Sequence, residues 1–238
     1  GGELNDDELI NLLSEKNSVD TINSQNVTLD FLKKNNKSKF IISNFTGINI
    51  ESQRYISENI HYVLYEHDHK YLPNRNPGIY DEYEAPKNKI INLHFYKNAK
   101  AVFCQSNFHK GIVEKNLNLT NIKSVSGNLW SLETLEYLKK LSGKNKKEVC
   151  SVMDSNIPHK NTSKAVAFCK YKGYEYKLIK SQNYKDFLDQ LTDNKKLVFF
   201  PETPETLSRI VVEARMAGMD TITTKNIGAI GENWFNMK

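Results

Sequence analysis

The chain has 238 residues, 39% of them hydrophobic and 11% aromatic, with 33 basic residues against 28 acidic ones for a net charge of +5. That apolar content is enough to bury a core and excludes extended disorder as the general state, while the length fits one or two domains. The basic excess is mild and spread along the chain, so it fits a solvated surface or attraction of a phosphate ester better than a duplex-binding stripe; no stretch approaches the ~20 apolar residues of a membrane-spanning helix.

In chain order the periodicities predict a strand at 39–45 (KFIISNF), a helix at 49–59, a strand at 61–68 (HYVLYEHD), a strand at 100–106 (KAVFCQS), a helix at 108–117 and a strand at 121–128. A helix at 132–141 follows, then a strand at 148–154 (EVCSVMD), a helix at 162–172, a strand at 176–181, a helix at 183–193, a strand at 196–201 (KLVFFP), a helix at 206–217 and a strand at 220–224. Strands alternating with helices mean parallel α/β sheets, and the near-continuous apolar runs mean strands covered on both faces. The polar stretch SGKNKK at 142–147 predicts a hinge, dividing the chain into a domain at 1–141 and a shorter one at 148–238.

Cys104, Cys150 and Cys169 match neither a zinc ribbon nor a C-x-x-C motif and read as buried thiols in a reducing compartment. With no charged-then-apolar leader pattern at the start, a cytoplasmic location is expected.

The segment from 196 to 235 is the most informative: a strand, a Pro-rich turn, a helix, a strand and a glycine loop. In an open α/β sheet ligands bind beyond the carboxyl ends of strands, where this turn and this loop both fall. With Glu205 capping the helix, Glu205 and Glu213 would lie roughly 12 Å apart along its axis, which suits the two ends of a nucleotide-sugar. The amides of Thr206, Leu207 and Ser208 would then face the diphosphate at the positive end of the helix dipole.

Two glutamates separated by seven residues, followed by Ala214, Ala217 and Gly218 and then Asn226-Ile227-Gly228-Ala229, resemble the signature of the retaining GT-B glycosyltransferases, in a short variant. More faintly, Tyr65-Glu66-His67-Asp68-His69 resembles their acceptor-side loop, 95–112 their helix, strand, serine and helix passage, and 124–131 the strand leading to their interdomain linker. The resemblance implies two Rossmann-like domains facing across a cleft. It also implies transfer of a sugar from a nucleoside-diphosphate sugar to an acceptor hydroxyl with retention; the nucleotide-sugar is a substrate, and no cofactor is expected. Glu213 would bind the ribose and Glu205 would sit beside the donor sugar, with Asn226 and Gly228 completing the donor side; Glu213→Ala would weaken nucleotide binding with little loss of fold.

The family places an arginine and a lysine after the first strand of the second domain. Here Lys160 occupies the lysine place, but Asp154, Ser155 and Asn156 stand where the arginine is expected. Arg209 is the candidate replacement, since its planar fork suits phosphate; the bland alternative is a surface pair with Glu213, four residues on. The second domain is shorter than in the family, which leaves a homodimer or a weak enzyme open.

His67 and Asp68 are assigned to the acceptor, to orient its hydroxyl or take its proton. With His69 they could ligate a metal, but no further ligand accompanies them, so no metal is expected. His109 reads as a surface histidine. A dinucleotide oxidoreductase is disfavoured because no G-x-G-x-x-G follows a strand. A nucleotide-sugar epimerase and a non-catalytic nucleotide-sugar-binding module on the same fold remain the alternatives.

Overall fold

The computed structural model describes residues 2–237 and divides the chain into two compact units, Gly2–Asn128 and the part from Leu129 onward. The first contains α1 (Gly2–Ser14), α2 (Leu29–Lys34), β1 (Lys39–Ile42), α3 (Ile50–Asn59), β2 (His61–Glu66), α4 (Leu93–Asn98), β3 (Val102–Cys104), α5 (Asn107–Leu117) and β4 (Ile122–Ser124). Its four strands are parallel and lie in the order β1-β2-β3-β4. Tyr62, Leu64, Val102, Cys104 and Ile122 point into a core closed by Ile56, Phe95, Tyr96 and Val113. Each such buried aliphatic or aromatic side chain contributes about 1.5–3 kcal/mol. Helix starts follow side-chain caps: Asn49 accepts from Ser52 N at 2.8 Å and Ser106 from His109 N at 3.0 Å.

The second unit contains α6 (Leu132–Ser142), β5 (Lys147–Met153), α7 (Thr162–Lys172), β6 (Tyr176–Ile179), α8 (Tyr184–Thr192), β7 (Asn194–Phe199), α9 (Arg209–Met216) and β8 (Asp220–Thr223). Its parallel sheet has the order β6-β5-β7-β8. Helix α7 covers one face through Ala165 and Cys169 on Cys150, Val152 and Val198. Helices α6, α8 and α9 cover the other through Leu138, Leu141, Leu188, Leu191, Val211 and Val212.

Both expected parallel α/β sheets are therefore present, each Rossmann-like. All three cysteines are buried and free. The boundary differs from the expected hinge at 142–147: the units part between Asn128 and Leu129. Helix α6 buries Leu138 and Leu141 in the second core, so SGKNKK is only the loop that joins α6 to β5. Helices α1 and α2 were not expected. Among the residues of α1 only Asn5 is fully buried, bonded to the Tyr65 hydroxyl at 2.8 Å, while Leu9, Ile10 and Leu13 form a short apolar face along one cavity.

Candidate functional site

In the second sheet the chain passes from β5 to β6 on one side and returns to β7 on the other, so the strand order reverses between the carboxyl ends of β5 and β7. Beyond the carboxyl ends of the strands at such a switch point lies the usual ligand position in sheets of this kind. Lys160 comes from the loop after β5 and Glu205 from the loop after β7, and their side chains meet: Nζ lies 2.6 Å from Oε1. Glu202 N donates to His159 O at 2.9 Å, tying the two loops together. The loop after β8 joins them, because Glu205 N donates to Asn226 O at 2.8 Å and Gly228 N to Glu205 O at 2.9 Å. Three of the predicted donor-side residues, Lys160, Asn226 and Gly228, are thus gathered around Glu205.

The expectation that Glu205 caps a helix starting at Thr206 is corrected. Glu205 forms a bridge with Ile227 instead, and α9 begins four residues later, at Arg209. Thr206 and Leu207 precede the helix, and Leu207 is wholly buried in the core. The amides left without helical partners at the start of α9 are those of Ser208, Arg209 and Ile210, since Val211 N already donates to Ser208 O. Ser208 sits in left-handed backbone at φ 77°, and its hydroxyl is buried without a hydrogen bond. For a residue with a Cβ that conformation costs on the order of 1–2 kcal/mol, and such strain clusters where function requires it.

Arg209 and Glu213 are brought together, but not as a surface pair: their side chains are 9% and 3% exposed, with Nε 3.3 Å from Oε1. Arg209 Nη1 donates to Leu129 O at 2.7 Å, and its guanidinium lies 4.4 Å from the centre of the Trp130 ring. Glu213 also accepts from the Trp130 indole at 3.0 Å and the Tyr184 hydroxyl at 2.6 Å. Sequence reasoning missed Trp130 and Tyr184, which lie 83 and 29 residues from Glu213 and belong to no local motif. Burial and the Glu213 charge push the Tyr184 phenol well above its usual range, so it stays a proton donor.

In the first unit His67 and Asp68 follow β2 but have different surroundings. The His67 ring has both nitrogens engaged, one with Asp6 at 2.7 Å and the other with the Gln105 amide at 2.9 Å. Asp6 also lines a cavity of about 910 Å3 that runs along the open edge of β1 beside Leu9, Ile10, Phe31 and Ile41. Asp68 lies 2.8 Å from Lys70 and 3.2 Å from Arg75. Although burial pushes its carboxyl up, the charge and hydrogen bond of Lys70, with Arg75, hold it below the usual carboxylate range. It is a poor proton acceptor. No cluster of three His, Cys, Asp or Glu side chains able to hold a metal occurs among the described residues.

His109 is corrected from a surface position to a fully buried one, in ring contact with buried His69 at 5.0 Å. Burial pushes His69 down to about 3 and His109 well below its usual value. A base whose folded pKa is depressed destabilises the fold as pH falls, because below ~6.5 the unfolded chain binds a proton that the folded chain refuses. Each imidazole should therefore contribute a slope of ~0.7 kcal/mol per pH unit at pH 6.5, rising to ~1.4 by pH 5. Urea unfolding followed by circular dichroism across that range reads the slope, and a flat profile would mean that these rings are charged in the folded state.

No family model matches the chain, and no curated protein matches it in sequence. Among solved structures, it is similar to Anabaena Alr3699/HepE in complex with UDP and glucose, at 13% identity and a TM-score of 0.50 over 84% of this chain and 63% of that one. The same protein in complex with UDP gives 13% identity and a TM-score of 0.52 over 84% and 64%. A glycosyltransferase from Rickettsia africae ESF-5 gives 14% identity and a TM-score of 0.50 over 93% and 70%. The chain thus spans just under two thirds of the HepE structures it matches. At these identities the likeness is one of fold, which the two Rossmann-like units of this chain share with the HepE structures and with the Rickettsia glycosyltransferase.

Proposed function

We propose that the protein transfers a sugar, with retention, from a nucleoside-diphosphate sugar to an acceptor hydroxyl. The observation that carries this reading is the Lys160–Glu205 pair at the switch point between β5 and β7. A cation beside a carboxylate at the carboxyl end of a parallel sheet provides one group for a diphosphate and one for the sugar it leaves. The strained start of α9 adds open amides and the orphan Ser208 hydroxyl on the diphosphate, and Glu213 takes the ribose. Further support comes from the fold shared with structures that hold UDP and UDP-glucose.

His67 and Asp68 are assigned to the acceptor side. Because both His67 nitrogens are engaged and Asp68 is held ionised, their part is placement of the acceptor, and the proton leaves on the departing diphosphate. Lys160, Arg209 and the helix-end amides neutralise that diphosphate, so the reaction is metal-independent.

The variant that tests the donor site is Glu213→Gln. Alanine, expected from sequence to leave the fold intact, would strip a buried carboxylate from two hydrogen-bond donors and the Arg209 charge and destabilise the unit as well. Calorimetry with uridine, guanosine and adenosine diphosphates should show one binding the wild type and Glu213→Gln binding it about 10-fold or more weakly, from loss of ~1.5–3 kcal/mol in charged hydrogen bonds. The cognate nucleotide-sugar should turn over in EDTA. Binding without turnover would make this a non-catalytic binding module on the same fold, and turnover lost in EDTA and restored by manganese would replace the metal-free mechanism.

A further inference from the structure

Three groups converge on one oxygen of Glu213. The Trp130 indole reaches Oε1 at 3.0 Å, the Tyr184 hydroxyl at 2.6 Å and Arg209 Nε at 3.3 Å, while no described residue donates to Oε2. A buried carboxylate held only for stability is better served by donors shared between its two oxygens, most simply by the paired N–H groups of an arginine fork. Arg209 is four residues away on the same helix and does not do this. Its Nη1 goes to Leu129 O, its Nη2 donates to the Tyr184 hydroxyl at 3.3 Å, and its Nε is buried without a well-aligned hydrogen bond. The guanidinium supplies charge and a stacking surface on Trp130, and the directional bonds to Glu213 come from Trp130 and Tyr184.

We propose that Tyr184 and Trp130 are positioning residues that fix the Glu213 carboxylate by saturating Oε1, so that Oε2 is presented to the ribose hydroxyls of the bound nucleotide. The inference rests on the assignment of Glu213 to the ribose. A glutamate has three side-chain torsions to fix on binding, and fixing them beforehand removes an ordering cost from the ligand's affinity. Tyr184 has a second part: it receives Arg209 Nη2 while donating to Oε1, so the arginine charge polarises the hydroxyl that holds the carboxylate. The two residues come from different elements, Trp130 just ahead of α6 and Tyr184 at the start of α8, whose packing against α9 sets the carboxylate's direction.

The test pairs each variant with a change in the ligand. Wild type, Tyr184→Phe and Trp130→Phe are titrated with the nucleoside diphosphate that the wild type binds and with its 2′,3′-dideoxy analogue, and melting temperatures are recorded in parallel. Each variant should lose about 10-fold in affinity for the ribonucleotide and less than about twofold for the dideoxy analogue, because the hydroxyls through which Glu213 acts are then missing. A general structural defect would weaken both ligands alike, and that result overturns the inference while leaving the nucleotide site standing. An unchanged affinity in both variants overturns it too. Failure of the wild type to bind any of the uridine, guanosine or adenosine diphosphates overturns the donor-site reading and this inference with it.

Discussion

Lys70→Met should destabilise the first unit by about 3–5 kcal/mol, the range for removing one partner of a buried ion pair. Lys70 is 4% exposed and Glu66 1%, with Nζ 2.9 Å from Glu66 Oε1 and 2.8 Å from Asp68 Oδ1. Burial pushes the Glu66 carboxyl up while the Lys70 charge opposes it, and Tyr96 donates to its other oxygen. Without the ammonium, the buried Glu66 carboxylate would face the partly exposed Asp68 carboxylate with no cation between them. Glu66→Gln in the Lys70→Met background should recover much of the loss, because an apolar and amide pair leaves no buried charge. Both tryptophans, Trp130 and Trp234, belong to the second unit, so the loss should appear in urea unfolding followed by circular dichroism, to which both units contribute, and not in unfolding followed by tryptophan fluorescence. A loss below about 1 kcal/mol would mean that Glu66 is neutral in the folded chain and that Lys70 matters little.

This buried cluster also shows what the sequence could and could not disclose. The polar end of the strand expected at 61–68 was legible from the strand period, but β2 stops at Glu66, so only the part from His67 onward lies beyond it. That Glu66 and Lys70 turn inward while His67 stays near the surface depends on the path after the strand and on Tyr96, thirty residues later, which no local pattern encodes. His109 was misplaced for the same reason. Its helix start was readable from the Ser106 cap, but the face of α5 that meets His69 is a tertiary choice. In the second unit, the seven-residue spacing of Glu205 and Glu213 was visible, yet the chain between them is a bridge and a strained turn before it is a helix. Ser208 is the residue that breaks the local rule, because helix propensity has no way to anticipate a serine in left-handed backbone. The hinge was misread because a run of lysine, asparagine and glycine signals a loop without saying whether cores lie on both sides of it. Only the burial of Leu138 and Leu141 assigns α6 to the second unit.

Lys160→Ala should lower kcat for transfer by roughly 10²–10³, the loss typical of removing one group that stabilises charge developing in the transition state. In the free protein Lys160 is paired with Glu205 at 2.6 Å, with the two side chains 24% and 16% exposed, and its ammonium lies 5.9 Å from the centre of the Phe199 ring. The pair is mostly but not wholly buried, so its loss should cost the fold less than the ~3–5 kcal/mol of a fully buried pair, and kinetics read well below the variant's own melting temperature separate the loss in turnover from unfolding. In the proposed reaction charge gathers on the diphosphate as the sugar leaves, and an ammonium placed there would interact more strongly with that state than with the bound substrate, so kcat should fall further than KM rises. Deleting Lys160 also leaves Glu205 facing the diphosphate uncompensated, which adds repulsion where attraction is needed. Glu205→Gln in the Lys160→Ala background should therefore recover nucleotide affinity without recovering kcat, whereas Lys160→Arg, which keeps the charge, should retain more turnover than Lys160→Ala. A Lys160→Ala enzyme with kcat within twofold of wild type would remove Lys160 from the leaving-group site and pass the role of diphosphate counter-charge to Arg209 and the amides at the start of α9.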